Sequence, residues 1–169
     1  GYQLVLHFAP PCSTFSRARD RSSPTRVRSR SRPEGDGSHE NVRDANRIAL
    51  AALELCVCAS RALGAAVSLE NPRSSYMWAF FAAHADDLGT FLDIELCQCC
   101  FGVPYKKPTR LRCWQLDLRS LARNCSLDGS TFSCGRTAAE GHLPLVGSSA
   151  TSAAAAFPLP DSTASRCTR

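Results

Sequence analysis

The chain has 169 residues, which is enough for one modest domain with a hydrophobic core. Its net charge is +5 and most of its basic residues are arginines, so an anionic partner is compatible with the composition but not required by it. No apolar run approaches the roughly 18 residues of a membrane span, and the first residues lack the basic region and cleavage site of a secretory signal. We therefore expect an intracellular protein without a membrane partner, and a nuclear location stays open.

Ten cysteines are many for a chain of this size, which leaves a secreted disulfide protein open as an alternative. Several of these cysteines lie in apolar patterns, where a free thiol behaves as a small hydrophobic side chain. The sequence begins at Gly1 rather than Met, and its first residues already have the pattern of a buried strand. We therefore expect a fragment of a longer protein.

The first predicted element is a buried strand over residues 3–9, which Pro10 and Pro11 end because proline cannot donate to a strand ladder. Residues 13–41 are polar and rich in Arg, Ser, Pro and Gly. A segment of that length and composition predicts a mobile loop.

Apolar positions at helical spacing predict a first helix over residues 42–63, with Asn41 as its N-cap and Gly64 as its stop. A second short strand over 65–69 follows, and residues 70–72 (Glu-Asn-Pro) close it.

A second helix is predicted over residues 75–88 and a third strand over 91–101. Residues 110–116 form a further strand that pairs with the third one, and a short helix follows near 116–122. From residue 126 onward Gly, Ser, Thr and Ala dominate, so we expect a folded region over 1–125 and a low-complexity, poorly ordered tail over 126–169.

Alternation of strands and helices predicts an α/β fold with a mostly parallel sheet. In such a sheet the residues that follow each strand lie at the same carboxyl edge, where open α/β folds bind their ligands. Cys12 follows the first strand and Glu70 follows the second. We therefore expect a thiol and a carboxylate to face one crevice.

A thiol beside a carboxylate suits nucleophilic catalysis with acid assistance. The thiolate is the attacking form, and nearby cations lower the pKa of a thiol. Arg17, Arg19 and Arg21 follow Cys12 closely and could supply that field.

Three short motifs carry a resemblance to a known family. Residues 11–16 (Pro-Cys-Ser-Thr-Phe-Ser) resemble the Pro-Cys-x-x-Phe-Ser nucleophile motif of cytosine-C5 DNA methyltransferases, in particular of proteins from phages and mobile elements. Glu70-Asn71 resembles the Glu-Asn motif of the same family, and residues 110–112 (Arg-Leu-Arg) resemble its later Arg-x-Arg motif. The resemblance extends over residues 3–125.

The resemblance implies part of a Rossmann-like methyltransferase fold and a reaction on DNA. Cys12 would add to C6 of a flipped-out cytosine, and Glu70 would hydrogen-bond the base at N3 and its amino group. C5 would then take a methyl group from S-adenosylmethionine, while Arg110 or Arg112 steadied the base or the Cys12 loop.

The same resemblance implies substrate contacts and a minor cofactor contact. The residues concerned are Ser16, Arg17, Arg19, Arg21 and Asn71 for the substrate and Pro11 for the cofactor. Seven arginines between residues 17 and 32 agree with phosphate binding, which gives sequence-independent affinity. A solvated charged loop is the alternative for this stretch.

The chain departs from the family at several positions. It contains no Phe-x-Gly-x-Gly turn for the methyl donor, and Ser13, Pro72 and Pro108 stand where the family usually has Gln, Val and Gln. We therefore expect the catalytic half of a methyltransferase that is inactive alone. The alternative is a non-catalytic nucleic-acid-binding remnant of a mobile element.

Metal binding is the last possibility that the composition raises. Cys97, Cys99 and Cys100 form one cysteine knuckle without a second one at regular spacing. The four histidines, at positions 7, 39, 84 and 142, are scattered and none pairs at ligand spacing. We therefore expect no metal site.

Overall fold

The computed structural model of the chain describes residues 3–21, 25–85 and 87–145. Two compact units divide the chain: the first comprises Gly1–Leu96 and Pro108–Asn124, and the second comprises Cys97–Lys107 and the chain from Cys125 onward. Among the described residues, the second unit combines the internal segment Cys97–Lys107 with residues 125–145. The low-complexity stretch 148–156 lies outside the described residues.

The fold is α/β with a mixed sheet of four strands. The strands are β1 (Val5–Phe8), β2 (Ala66–Pro72), β3 (Leu92–Cys97) and β4 (Pro108–Trp114). Their order in the sheet is β1-β2-β4-β3, with β1 parallel and β4 antiparallel to β2. The predicted α/β class is confirmed, whereas the expected mostly parallel sheet is replaced by a mixed one.

The antiparallel direction of β4 is explained by the short connection between β3 and β4. Only residues 98–107 join β3 to β4, and a parallel crossover needs about a dozen residues or more. The connection therefore suits a return in the opposite direction. β4 then pairs with β2 as far as Pro72 opposite Thr109, so β2 continues three residues beyond its predicted end.

Two helices accompany the sheet in the first unit. Helix α1 (Glu40–Leu63) begins two residues earlier than predicted, with His39 as its N-cap. It ends as expected at Gly64, whose φ of 59° is the left-handed conformation that glycine adopts without a steric penalty. Helix α2 (Met77–His84) is shorter than the predicted 75–88.

The main hydrophobic core packs one face of the sheet against both helices. It contains the buried side chains of Phe15, Ala49, Leu53, Cys56, Val67, Leu69, Phe80, Phe81 and Trp114. A smaller cluster of Ile94, Leu96, Leu111 and Cys113 lies on β3 and β4. Strand β1 is at the sheet edge and its Val5 is 59% exposed, so the prediction of a fully buried strand was wrong.

The arginine-rich segment after Cys12 is organised around the buried side chain of Arg28. Its guanidinium donates hydrogen bonds to the carbonyl and hydroxyl oxygens of Thr14, to the carbonyl of Pro33 and to the side-chain oxygen of Asn46. It also stacks over the Phe15 ring, with 3.6 Å from its central carbon to the ring centroid. Part of the segment expected to be a mobile loop is thus fixed to the fold by one side chain.

Burial of this cation has an electrostatic cost that its hydrogen bonds offset. Desolvation lowers the pKa of Arg28 to about 10, although the charge of Glu34 acts in the opposite direction. Gly35 lets the chain pass close to the arginine, because a Cβ at this position would lie 2.9 Å from the Cγ of Arg28 and its φ is 77°.

Substitution of Arg28 tests this arrangement. Arg28→Ala leaves the buried acceptors of Thr14 and Pro33 without donors, so we expect a loss of about 2–4 kcal/mol in the free energy of unfolding, measured with urea. Arg28→Lys should also destabilise the chain, because an ammonium group cannot reproduce the planar fork of donors.

The matched control for this prediction is Arg30→Ala, which removes an exposed arginine from the same segment. It should change the free energy of unfolding by less than about 0.5 kcal/mol. Equal effects of the two alanine substitutions would show that Arg28 does not organise the segment.

The second unit has little regular structure in its described part. Its strands β5 (Leu127–Asp128) and β6 (Thr131–Phe132) form a short antiparallel pair, and a single 3₁₀ turn spans Gln98–Phe101. A small cluster of Cys97, Cys99, Val103 and Cys125 is buried there. Among the helices of the described ranges, none has the length and apolar character that crossing a bilayer requires.

Candidate functional site

Cys12 lies four residues after the end of β1, half-buried, at the start of the 3₁₀ turn Ser13–Phe15. The turn is held by Phe15, whose ring is fully buried with its centroid 5.4 Å from that of Phe80. The carbonyl of Phe15 accepts a 2.9 Å hydrogen bond from the backbone N–H of Tyr76, just before α2. The nucleophile motif is therefore anchored at both its backbone and its aromatic side chain.

Glu70 and Asn71 lie within β2 and are both buried. The side-chain amide of Asn71 donates a 3.0 Å hydrogen bond to the carbonyl of Pro10, two residues before Cys12. Because β1 and β2 are parallel, the segment that carries Cys12 and the end of β2 lie at the same edge of the sheet. The side-chain oxygen of Asn71 is buried without a hydrogen-bond partner among the described residues, so an acceptor is available there.

His7 adds an imidazole that the sequence patterns did not single out. Its Nδ1 lies 2.8 Å from the hydroxyl oxygen of Ser68, its partner in the β1–β2 register. Alternation along β2 puts Ser68 and Glu70 on the same face of the sheet. Burial lowers the pKa of His7, and the charge of Glu70 opposes this by raising it.

The electrostatic link between these two groups can be measured by NMR titration of the His7 ring. Glu70→Gln removes the negative charge that raises the pKa of His7. The pKa of His7 should therefore fall further below 6.5. Glu95→Gln, on β3, is the charge-matched control and should leave His7 unchanged. A His7 pKa that is unmoved in Glu70→Gln would contradict the proximity of the two side chains.

Arg110 and Arg112 are side by side on β4 and face carboxylates of β3. Arg112 is bidentate to Asp93, with both N–O distances 2.8 Å, and Arg110 donates to Glu95 at 2.7 Å. Both guanidinium groups also lie over the Trp78 ring, at 5.5 and 5.4 Å. Arg112 is almost fully buried in this arrangement, whereas Arg110 is partly exposed.

A cleft of about 570 Å³ in the first unit is lined by four arginines: Arg17, Arg30, Arg73 and Arg110. Tyr76 and Trp78 contribute aromatic surface to it, and Glu95 is an acidic residue at its wall. Arg30 is exposed, and it makes no hydrogen bond or ion pair with other described residues. The cleft therefore offers positive charge and aromatic faces together, a combination that suits nucleic acid.

The remaining predicted substrate residues are dispersed. Arg19 donates to the carbonyl of Thr25 at 3.0 Å, and the Ser16 hydroxyl accepts from the backbone of Ala18. Pro11 is exposed, and the side chain of Arg21 lies outside the described residues. Of the two described arginines expected to bind DNA, Arg17 lines the cleft and Arg19 does not.

Arg73 was missed at the level of the sequence, although it follows the Glu-Asn-Pro motif directly. Its position could have indicated a binding residue, because a residue that follows a strand lies at the carboxyl edge of the sheet, where ligands bind.

The methyl donor does not fit the described residues. Binding of its nucleoside and charged tail at a strand end calls for a glycine-rich turn that lets the backbone approach closely. Residues 9–11 after β1 are Ala-Pro-Pro, and β2 ends at Pro72 followed by Arg73. These turns contain no glycine. The ends of β1 and β2 therefore do not allow the close backbone approach that S-adenosylmethionine requires.

A second group of reactive side chains lies wholly within the second unit. One ligand atom each from Cys99, Cys125, Cys134 and His142 lies within 4.8 Å of all the others. No metal site was expected from the sequence, because short paired cysteine knuckles are absent. The spacing Cys125-x₈-Cys134-x₇-His142 is a looser signal that the regular patterns do not include.

None of the nine cysteines in the described part of the chain forms a disulfide, so a disulfide framework is not present there. Comparison with models of protein families, with curated proteins and with solved structures finds no match for this chain.

Proposed function

We propose that the first unit is the base-binding half of a DNA cytosine-C5 methyltransferase with a partial Rossmann-like fold. The observation that supports this most directly is the parallel β1–β2 pair, which brings the Pro-Cys segment and Glu70-Asn71 to one sheet edge. The resemblance of three ordered motifs to that family gives the chemistry, and the arginine-lined cleft gives a surface for the DNA.

In the proposed reaction the Cys12 thiolate attacks C6 of a cytosine that has left the duplex. Attack forms a C6–S bond and moves the C5–C6 π electrons to C5, which becomes nucleophilic. Glu70, hydrogen-bonded at N3 and the exocyclic amino group, would stabilise the protonated ring that develops. The buried oxygen of Asn71 is an additional acceptor at this edge.

Methyl transfer from S-adenosylmethionine would complete the reaction, and the described residues do not supply the donor site. Under this proposal the chain retains the part of the chemistry that activates the base. Arg112, neutralised by Asp93, supports β4 and Trp78 and does not contact the base.

Addition of Cys12 can be tested without any methyl donor. In D₂O, attack at C6 lets a deuteron add at C5, and loss of the original C5 proton with expulsion of the thiolate returns cytosine labelled with deuterium. We expect this exchange in duplex DNA containing an extrahelical cytosine, measured by mass spectrometry of the digested nucleosides.

Cys12→Ser should abolish the exchange, and Glu70→Gln should slow it on the order of 100-fold because acid assistance is lost. Cys58→Ser, which alters an exposed thiol on α1, is the matched control and should exchange at the unaltered rate. Exchange that is equally fast in Cys12→Ser would refute the assignment of the nucleophile.

A second candidate function is sequence-independent nucleic-acid binding without catalysis. The observation in its favour is the exposed guanidinium of Arg30 beside Arg17 and Arg73 in one cleft, since such groups contact phosphates. This function needs neither Cys12 nor a methyl donor.

Salt dependence of DNA binding tests the cleft. Arg30→Ala should weaken binding equally for all sequences and reduce the slope of log K against log salt by about one, because one phosphate contact is lost. Arg47→Ala removes the same charge from the exposed surface of α1 and should leave the slope unchanged. Equal effects of the two substitutions would show that net charge, and not the cleft, determines binding.

A further inference from the structure

We propose that Cys99, Cys125, Cys134 and His142 form a structural zinc site in the second unit. Three thiolates and one imidazole are one of the standard ligand sets of structural zinc in proteins. The four ligand atoms come from two separate segments of the chain and converge within 4.8 Å. This proposal is independent of the function proposed for the first unit.

The distances among Cys125, Cys134 and His142 match the edges of a zinc tetrahedron, and the sulfur of Cys99 lies within 4.8 Å of all three ligand atoms. Zinc–sulfur bonds of about 2.3 Å and zinc–nitrogen bonds of about 2.0–2.1 Å correspond to edges of about 3.8 Å between sulfurs and about 3.6 Å between sulfur and nitrogen. The sulfurs of Cys125 and Cys134 are 3.6 Å apart, and Nε2 of His142 lies 3.6 and 3.4 Å from them. A disulfide would require sulfurs at about 2.05 Å.

The surroundings of the group resemble those of metal ligands. The ring of His142 packs edge-on against Phe132, with centroids 4.5 Å apart, which fixes the direction of its Nε2. Cys99 and Cys125 are buried, and Cys134 and His142 are half-buried.

The second unit also needs a stabilising element beyond its apolar core. Small units with little apolar core often depend on a disulfide, a metal or a partner. Its two strands have two residues each, and its buried cluster consists largely of cysteines. Bonds from one ion to four side chains would join both chain segments of the unit.

The chemistry of the ligands selects the ion. Thiolate and imidazole ligands in a tetrahedron suit zinc, whereas magnesium and calcium prefer oxygen ligands. Four protein ligands fill the coordination of zinc, so the site is expected to stabilise the unit and not to activate water.

The test uses the full chain, reduced, incubated with zinc sulfate and desalted, with bound metal measured by mass spectrometry. We expect one zinc per chain. Cobalt(II) in place of zinc should give the visible absorption of a tetrahedral cobalt–thiolate centre. This measurement uses the unaltered chain, so it does not depend on whether a variant folds.

Cys134→Ser and His142→Ala should each lower zinc affinity by more than about tenfold, since even loss of an outer contact has effects of that size. Cys58→Ser removes an exposed thiol of the first unit and should keep one zinc per chain. Cys97→Ser tests the neighbouring sulfur, 3.4 Å from that of Cys99, and should also keep the metal.

Three results would overturn the proposal. They are an unaltered chain that retains no zinc and shows no cobalt–thiolate absorption, a Cys125–Cys134 disulfide found by peptide mapping of that chain, and loss of zinc from Cys97→Ser with retention in Cys134→Ser.

Discussion

The parallel pairing of β1 with β2 determines where the reactive groups of the first unit lie. A parallel pair aligns the carboxyl ends of both strands, and the hydrogen bond from Asn71 to the carbonyl of Pro10 joins these ends directly. Cys12 is thereby brought to the edge that carries Glu70, although 58 positions separate them in the numbering. Reversal of either strand would send the two residues to opposite edges, and no local motif could compensate.

The arginines of the first unit divide into those whose charge is used by the fold and those whose charge is available to a ligand. Arg28 donates its hydrogen bonds to backbone and side-chain oxygens inside the protein, and Arg112 is neutralised by Asp93. Arg30 instead lines an open cleft, where Arg17 also lies but is paired with Asp20. Composition alone treats all of them as equivalent, whereas burial separates structural cations from binding cations.

Much of the fold follows from the sequence because its signals are local. The periodicity of α1 and the left-handed Gly64 required no tertiary information, and the helix ends at the predicted residue. The position of β4 between β2 and β3 depends instead on pairing between distant segments, which no local pattern encodes. The same limit applies to Arg28, whose acceptors at Thr14 and Pro33 assemble only when the chain folds.

The candidate sites show the same division between local and long-range information. Cys12 and Glu70 could be predicted, because a strand end is a local feature and a parallel sheet brings strand ends together. The cluster of Cys99 with Cys134 and His142 could not, because its ligands lie on irregular turns with no periodic spacing. A cysteine in such a turn has the same sequence signature as one that is merely exposed.

Burial also explains why the cysteines of one chain can have different roles. Desolvation raises the pKa of Cys56 to about 12 and that of Cys113 to about 11, so both remain neutral thiols and act as small hydrophobic groups. Thiols that converge on one point can instead share their charge with a metal ion, which makes deprotonation favourable despite burial. Cys12 belongs to neither group, since it is half-buried at a sheet edge. The environment of each sulfur, and not the number of cysteines, therefore separates a packing residue from a ligand and from a candidate nucleophile.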